Sequence, residues 1–215
     1  MKQNTVITLI RHGETVDNLT AVLQGHYDSE LDDVGLAQAG RVAERLTHEG
    51  PFDVFYCSDL KRAAVTAQVI SRAIGQEPIA TRELREWHLG VLEHRPVAEL
   101  WKEYPVIMQS FCSAGDDLEV PGGESRRQFR ARITAFVRRI LAEHEGKRIL
   151  VVTHGGVLRA FFRYVLEIPE TLNIKPMVSN VGFSRFTFNG EDWTMNCWND
   201  TSHLYGMTLT DPKAY

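Results

Sequence analysis

Short, nearly continuous apolar runs alternate along this chain with longer segments in which apolar residues recur at helical spacing. Val6–Ile10 and Ile149–Val152 are rich in aliphatic and β-branched residues, which is typical of strands buried on both faces. Val54–Cys57 predicts a further strand, and Ile79-Ala80 predicts a weaker one. These runs are the predicted strands of a central sheet.

Four further segments have helical period, namely Leu36–Leu46, Lys61–Ile74, 125–141 and Val157–Leu166. In the third, apolar residues from Phe129 onward fall at i, i+4, i+7, i+8, i+11 and i+12, the pattern of an amphipathic helix. Residues 181–188 and 193–198 predict a terminal hairpin that turns at Asn189-Gly190. The alternation of strands and helices predicts an α/β fold with a mostly parallel sheet covered on both faces.

The length of 215 residues predicts a single domain over 1–215. Residues 105–124 have little periodicity, and we therefore expect 96–124 to form a lid over the site. In sheets of this kind, ligands bind beyond the carboxyl ends of the strands. The site is therefore expected at that edge.

Composition and charge narrow the function classes. The 24 Lys and Arg residues against 28 Asp and Glu give a formal net charge of −4, the wrong sign for a general nucleic-acid binder. No stretch approaches the ~20 apolar residues of a membrane span. Cys57, Cys112 and Cys197 are odd in number and widely spaced, which favours a reducing compartment. We expect a cytoplasmic protein with no nucleic-acid or membrane partner; its oligomeric state stays open.

Several site types can be excluded from the sequence. It contains neither a Walker-type phosphate loop nor a G-x-G-x-x-G or G-x-S-x-G motif. The spacing from Cys57 to Arg62 is one residue too short for a thiol phosphatase loop. None of the 8 His residues lies in H-E-x-x-H or another recognisable metal-ligand cluster. We expect no metal and no cofactor.

Three motifs follow three of the predicted strands, namely Arg11-His12-Gly13, Ser58–Arg62 and His154-Gly155-Gly156. A neutral, oriented imidazole such as that of His12 can attack phosphorus. Arg11 and Arg62 can bind phosphoryl oxygens, and Asn18 adds an amide donor. His154 adds a second imidazole, and the glycines after it open a helix whose N–H groups favour anions. Together these residues fit the demands of phosphoryl transfer.

Each motif by itself also has a structural interpretation. His12 could be a structural histidine at a strand end, His154-Gly155-Gly156 the entry to a helix, and Arg62 a helix residue in a salt bridge. Their coincidence at three strand ends favours function. By contrast, the arginines on the amphipathic helix are interpreted as a solvated face, namely Arg126, Arg127, Arg130, Arg132, Arg138 and Arg139. Trp193 and Trp198 on the predicted hairpin are interpreted as packing residues.

The ordered motifs of the chain resemble those of the histidine phosphatase superfamily, also called phosphoglycerate mutase-like. The matching segments run from Leu9–Thr15 with Asn18 through Leu23–Leu31, Ser58–Ala67, Leu84–Gly90, Pro121–Ser125, Val152–Arg159 and Asn199–Leu204. The resemblance spans nearly the whole chain. It implies a three-layer α/β/α sandwich and a phosphohistidine intermediate on His12.

The resemblance also implies the other site residues. Arg11, Arg62 and His154 match the rest of the catalytic phosphate pocket, while Asn18, Gln24, Gly25 and Gly155 match its substrate-binding residues. Glu86 falls where the family carries its proton donor, although the residues alone do not distinguish it from Glu83.

Three functions follow as expectations. The first is a metal-independent phosphatase that hydrolyses a small phosphomonoester. The second is a cofactor-dependent phosphoglycerate mutase, which we rank lower. Residues 101–120 carry one Lys, no Arg and the acidic run 116–119, and an acidic lid would repel a second anionic group of the substrate. The third is a catalytically silent phospho-ligand binding module, against which the intact set of His12, Glu86 and His154 argues.

Overall fold

The computed structural model describes residues 4–113, 115 and 118–207. Its strands are β1 (Thr5–Arg11), β2 (Val22–Leu23), β3 (Val54–Ser58), β4 (Ile79–Thr81), β5 (Arg95–Pro96), β6 (Arg148–Thr153), β7 (Phe183–Phe188) and β8 (Trp193–Asp200). Its α-helices are α1 (Val16–Leu19), α2 (Asp33–Thr47), α3 (Lys61–Ile74), α4 (Val97–Glu103), α5 (Pro105–Cys112), α6 (Arg126–Glu143) and α7 (Gly155–Val165). The predicted strands and helices are all present, with shifted ends.

The central sheet has the strand order β4-β3-β6-β1-β7-β8. The pairs β3–β4, β3–β6 and β1–β6 are parallel, while β7 and β8 add an antiparallel hairpin at one edge. The predicted mostly parallel α/β fold is therefore confirmed. Because β3, β6 and β1 are neighbours, the three motifs that follow them meet at one edge of the sheet.

Helices cover both faces of the sheet. Because successive strand residues point to opposite faces, Ile149 and Val151 pack with α6 and α7, whereas Leu150 and Val152 pack with α2 and α3. The result is two apolar cores, one on each side of β6, in the three-layer arrangement that the resemblance implies.

Residues 96–124 contain more regular structure than we predicted. Helix α5 lies where the lack of periodicity over 105–124 predicts none, and α4 precedes it; Leu100 and Met108 join a third apolar core. Each helix has at most eight residues, too few for a periodic pattern to emerge. Phe111 and Ser113 line the cavity beside the motifs. That this segment acts as a lid stays a prediction.

The terminal hairpin also begins later than predicted. Val181 has a φ of 49°, outside the extended region, and its N–H donates to the carbonyl of Arg11 at 3.1 Å. Strand β7 therefore starts at Phe183, and the preceding turn is held against the end of β1. Trp193 and Trp198 pack on the core, as predicted. Within the described residues, no helix combines the length and the apolar character needed to cross a membrane.

Candidate active site

Two histidines from adjacent strands face each other at the sheet edge. His12 follows β1 and His154 follows β6, and the His12 N–H donates to the carbonyl of Thr153 at 2.9 Å. The centroids of the two imidazoles are 5.2 Å apart. The parallel ladder between β1 and β6 thus fixes the separation of the two rings.

The ring of His12 is oriented by its own loop. Its Nδ1 lies 2.7 Å from the carbonyl oxygen of Gly13, which can only accept, so we assign the proton to Nδ1 and a lone pair to Nε2. The side-chain amide of Asn180 donates to the His12 carbonyl at 3.0 Å and holds the loop from the other side. Burial, together with the charges of Arg62 and Arg11, lowers the pKa of His12 well below 6.5. His12 is therefore a neutral imidazole.

His154 is fully buried and held by a serine from the next strand. Its Nε2 lies 2.8 Å from the hydroxyl of Ser58, the last residue of β3. Burial, reinforced by the charge of Arg62, lowers the pKa of His154 well below 6.5. Its Nδ1 has no hydrogen-bond partner among the described residues, and His154 lies behind the residues that line the cavity.

Arg62 supplies a deeply buried positive charge. Only 1% of it is exposed, and its two terminal nitrogens donate to the carbonyls of Tyr27 and Gly25 at 2.8 Å each. Burial lowers its pKa to about 10, with the carboxylate of Glu86 the foremost opposing influence. Its Nε has no partner in the described part of the chain, so a buried donor is left for an anion.

The remaining predicted pocket residues surround this centre. Arg11 donates to the carbonyl of Val178 at 2.6 Å, and Gly155 lies beside its guanidinium. The Oδ1 of Asn18 accepts from the backbone N–H of Thr15, which leaves its amide nitrogen as the donor. These three predicted residues line one cavity with His12 and Arg62.

Gln24 and Gly25 line the same cavity with different roles. Gln24 donates to the hydroxyl of Thr15 at 2.7 Å. Gly25 has a φ of +55°, and a Cβ there would lie 2.3 Å from a carboxylate oxygen of Glu93. Glycine is thus required for the turn that presents its carbonyl to Arg62.

The structure places the carboxylates of Glu86 and Glu83 in different surroundings. The carboxylate of Glu86 accepts hydrogen bonds of 2.9 Å from the backbone N–H groups of Trp87 and Gly156, and it lines the cavity. A Cβ at Gly156 would lie 2.1 Å from this carboxylate, so only glycine fits at that position. Glu83 instead pairs with Arg139 at the surface, with 39% of its side chain exposed. Of the two carboxylates, Glu86 is the one at the site.

The predicted solvated face of α6 is wrong for three arginines, namely Arg126, Arg132 and Arg130, the last of which lines the cavity and pairs with Glu170. Arg132 forms a two-pronged ion pair with Glu124 and donates to the carbonyls of Glu83, Arg85 and Glu86. It therefore anchors the loop that carries the proposed proton donor. Its partners lie up to 49 residues away in the sequence, and no local pattern indicates them.

Arg126 is the second exception. It is only 6% exposed and donates to carbonyls in the last turn of α5 and just beyond it, at Ser110, Phe111, Ser113 and Gly115. This arginine joins α6 to the segment 96–124. A helix-face pattern cannot reveal such partners, because they come from irregular backbone elsewhere.

The cavity extends well beyond His12 and has a volume of about 450 Å³. Apolar side chains form much of its outer wall, among them Leu23, Trp87, Phe111 and Met177. Five cationic side chains also line it, namely Arg126, Arg130, Arg159, Arg163 and Lys175.

The described part of the outer site is therefore lined by cations and not by the acidic run that we predicted. The expectation of an acidic lid is wrong for the described residues, where Glu119 is exposed and absent from the cavity lining. Asp116 and Asp117 lie outside the described residues. No group of three or more His, Cys, Asp or Glu side chains suited to hold a metal ion occurs in the described ranges.

A parallel sheet with a neutral strand-end histidine, two arginines and a second imidazole at its carboxyl edge defines a phosphoryl-transfer type of site. The family model of the histidine phosphatase superfamily (branch 1) matches residues 7–201. The chain belongs to this family.

Relatives within the family carry both phosphatase and mutase-like names. The chain is 42% identical over 201 residues to phosphoglycerate mutase-like protein 4 of Arabidopsis thaliana, covering 92% of this chain and 86% of the relative. It is 38% identical over 202 residues to the metal-independent phosphoserine phosphatase of the same plant, covering 93% and 83% of the two chains. A phosphoserine phosphatase from Entamoeba histolytica, solved in complex with 3-phosphoglyceric acid, superposes with a TM-score of 0.82 at 30% identity, covering 93% of this chain and 99% of that one.

Proposed function

We propose that this protein is a metal-independent phosphatase that hydrolyses a small phosphomonoester through a phosphohistidine on His12. The observation that carries the proposal is the hydrogen bond of 2.7 Å between Nδ1 of His12 and the Gly13 carbonyl. It leaves Nε2 unprotonated inside a cavity that Arg11, Arg62 and Gly155 also line. A neutral, fixed imidazole is what nucleophilic attack on phosphorus requires.

The reaction has two steps. In the first, Nε2 of His12 bonds to phosphorus while the ester oxygen leaves and takes a proton from the acid form of Glu86. In the second, water gives a proton to the Glu86 carboxylate as its oxygen attacks the phosphohistidine, which frees His12 and releases inorganic phosphate. The carboxylate lies beside the α7 N-terminus, where a phosphoryl group also finds N–H donors.

The proposed phosphate pocket consists of hydrogen-bond donors and charges that remain for a ligand. Arg62 offers its Nε, Asn18 its amide nitrogen, and His154 a ring nitrogen, while Arg11 adds charge beside the backbone N–H of Gly155. Gln24 sits behind these groups and orients Thr15. Fixed positive charge in a buried pocket stabilises the transition state without reorganising at the moment of reaction.

Metal independence is part of the proposal. Two arginines and two imidazoles supply the positive potential and the hydrogen bonds that other phosphatases take from a metal ion. A relative named metal-independent phosphoserine phosphatase supports this view.

The test is to trap the intermediate. Rapid quenching without acid, after mixing with labelled substrate, should give a phosphorylated peptide that contains His12. The variant His12→Ala should lose both the label and turnover, while Arg138→Ala, an exposed change on the far face of α6, keeps both. A label on another peptide, or wild-type turnover in His12→Ala, would defeat the proposal.

A mutase is the second candidate, because cations line the outer cavity where an acidic surface was predicted. Such a lining would accept a substrate with a further anionic group. The products distinguish the two functions. We expect the protein to release inorganic phosphate much faster than it interconverts 2- and 3-phosphoglycerate. Efficient interconversion that depends on 2,3-bisphosphoglycerate would reverse the ranking.

A further inference from the structure

One face of α7 forms a wall of the cavity from the phosphate pocket outward. Gly155 and Gly156 lie at its first turn, Arg159 and Ala160 one turn on, and Arg163 at the next, all lining the cavity. Each residue advances the helix by ~1.5 Å, so Arg159 starts roughly 6 Å beyond Gly155. Its guanidinium therefore belongs to the part of the cavity that would hold the leaving group.

Arg159 differs from the other arginines of this wall. Arg163 donates to the carbonyls of Pro169 and Leu172, and Arg130 pairs with Glu170. Arg126 donates to backbone carbonyls, as described above. These three side chains hold the loops around the cavity.

Arg159 makes one hydrogen bond within the described residues, from its Nε to the carbonyl of Pro176 at 3.2 Å. That bond fixes the plane of the guanidinium and leaves both terminal nitrogens for a ligand. Burial lowers its pKa, and the Glu86 carboxylate opposes this. No carboxylate of the described chain lies within ion-pair distance of it, although a half-buried guanidinium gains most from such a partner.

We propose that Arg159 is a specificity residue that binds a carboxylate on the leaving group of the substrate. This inference rests on the proposed function, because the phosphoryl group must occupy the pocket of His12 and Arg62. A guanidinium presents a planar fork of donors that matches a carboxylate. The substrate class is then a phosphorylated hydroxy acid in which a few bonds separate the ester oxygen from the acid group.

A carboxylate fits the charges better than a second phosphate. A phosphate monoester carries about −1.5 to −2 at neutral pH. The guanidinium of Arg159 carries one positive charge, which balances a carboxylate but leaves part of the charge of a second phosphate to other groups such as Lys175. Trp87 and Phe111 give the cavity apolar walls, and a low local dielectric strengthens a matched ion pair and penalises an unmatched charge.

The test compares two substrates that differ in the carboxylate alone, O-phosphoserine and O-phosphoethanolamine. Arg159→Ala should lower kcat/KM for phosphoserine by about 10- to 150-fold, the range for a hydrogen bond to a charged group, and change phosphoethanolamine less than about threefold. Arg159→Lys should recover part of the loss. Arg138→Ala removes the same charge from an exposed position and should change neither substrate.

Fructose 1,6-bisphosphate against fructose 6-phosphate tests the second-phosphate alternative. A loss confined to the bisphosphate would overturn the carboxylate assignment. Equal losses on phosphoserine and phosphoethanolamine would also overturn it, since they would mean that Arg159 acts through Glu86 or the loop at Pro176.

A binding measurement keeps the inference separate from the chemistry. In the His12→Ala background, calorimetric titration should show that Arg159→Ala weakens phosphoserine binding and leaves phosphoethanolamine binding unchanged. If wild-type protein forms phosphohistidine from p-nitrophenyl phosphate but Arg159→Ala shows no selective loss, the inference fails and the proposed function stands. If no phosphohistidine forms from any ester while the binding preference persists, the proposed function fails and the inference stands.

Discussion

The guanidinium of Arg132 donates a hydrogen bond of 3.1 Å to the backbone carbonyl of Glu86. The same side chain also donates to both carboxylate oxygens of Glu124, at 2.7 and 2.8 Å. His26 contacts the Glu86 carbonyl from the other side, with its Nε2 at 2.8 Å. The proposed proton donor is therefore positioned through its backbone by side chains that do not line the cavity.

We expect Arg132→Ala to lower kcat for an alkyl phosphate by about tenfold or more, with a smaller change in KM, because charged hydrogen bonds to the loop are lost. The effect should be smaller on p-nitrophenyl phosphate, whose leaving group needs little protonation. Arg139→Ala, also on α6, removes a half-exposed pair with Glu83 and should change either rate little. An equal loss on both esters in Arg132→Ala would indicate general damage to the fold instead of a displaced carboxylate.

Glu86→Gln should slow phosphohistidine formation from alkyl phosphates by ~10²–10⁴-fold, the usual contribution of a general acid. An aryl ester should lose far less, because a phenolate leaves without a proton. Single-turnover formation of the phosphoenzyme is the measurement, since steady-state rates include the water step that Glu86 also serves.

Glu83→Gln is the matched control for this change. Its carboxylate lies at the surface and pairs with Arg139, so both substrates should react at nearly wild-type rates. A selective loss in Glu83→Gln would show that the wrong carboxylate was assigned.

The pKa values of His12 and His154 lead to a prediction on charge. Burial and the nearby guanidinium of Arg62 lower both, so the imidazoles should stay neutral as the pH falls through 6.5. The folded protein then protonates these imidazoles only at a pH below 6.5, whereas the unfolded chain already binds protons near 6.5. The free energy of unfolding therefore decreases as the pH falls through this range. Nitrogen NMR titration, with His12→Ala and His154→Ala to assign signals, measures this directly. An imidazolium signal from either residue at pH 6.5 would contradict the prediction.

Turnover should survive treatment with EDTA, because the proposed transition state is stabilised by Arg11, Arg62 and the two imidazoles. The measurement is phosphate release before and after chelation and dialysis. Activity that disappears on chelation and returns with a divalent ion would exclude this part of the proposal.

Most of the scaffold could be predicted because its signals are local. Lys61–Ile74 has the predicted bounds of α3, since Gly75 in the left-handed conformation ends it sharply. The buried strands are apolar on both faces, and their order along the chain implies the parallel sheet. The convergence of His12, Arg62 and His154 followed from the rule that ligands bind beyond strand ends.

What could not be predicted depends on contacts between distant segments. Arg126 and Arg132 have the sequence spacing of a solvated helix face, yet both are satisfied by carbonyls of loops that fold back over α6. Likewise, Arg159 ends the matching segment Val152–Arg159, but that segment gives it no role that separates it from Arg163. Their difference depends on which loop each guanidinium meets, and only the tertiary structure reveals that.

The hydrogen bond from His12 to Thr153 joins the nucleophile to the central ladder of the sheet. Deuterium exchange at the His12 amide should therefore require the sheet to open, whereas loops 167–178 can fluctuate locally. The end of the cavity that holds His12 shares the rigidity of the fold, whereas the outer end combines helix α7, which carries Arg159, with loop residues 170–178. A descendant of this chain could change its substrate by altering those loops while the chemistry at the sheet edge stays intact.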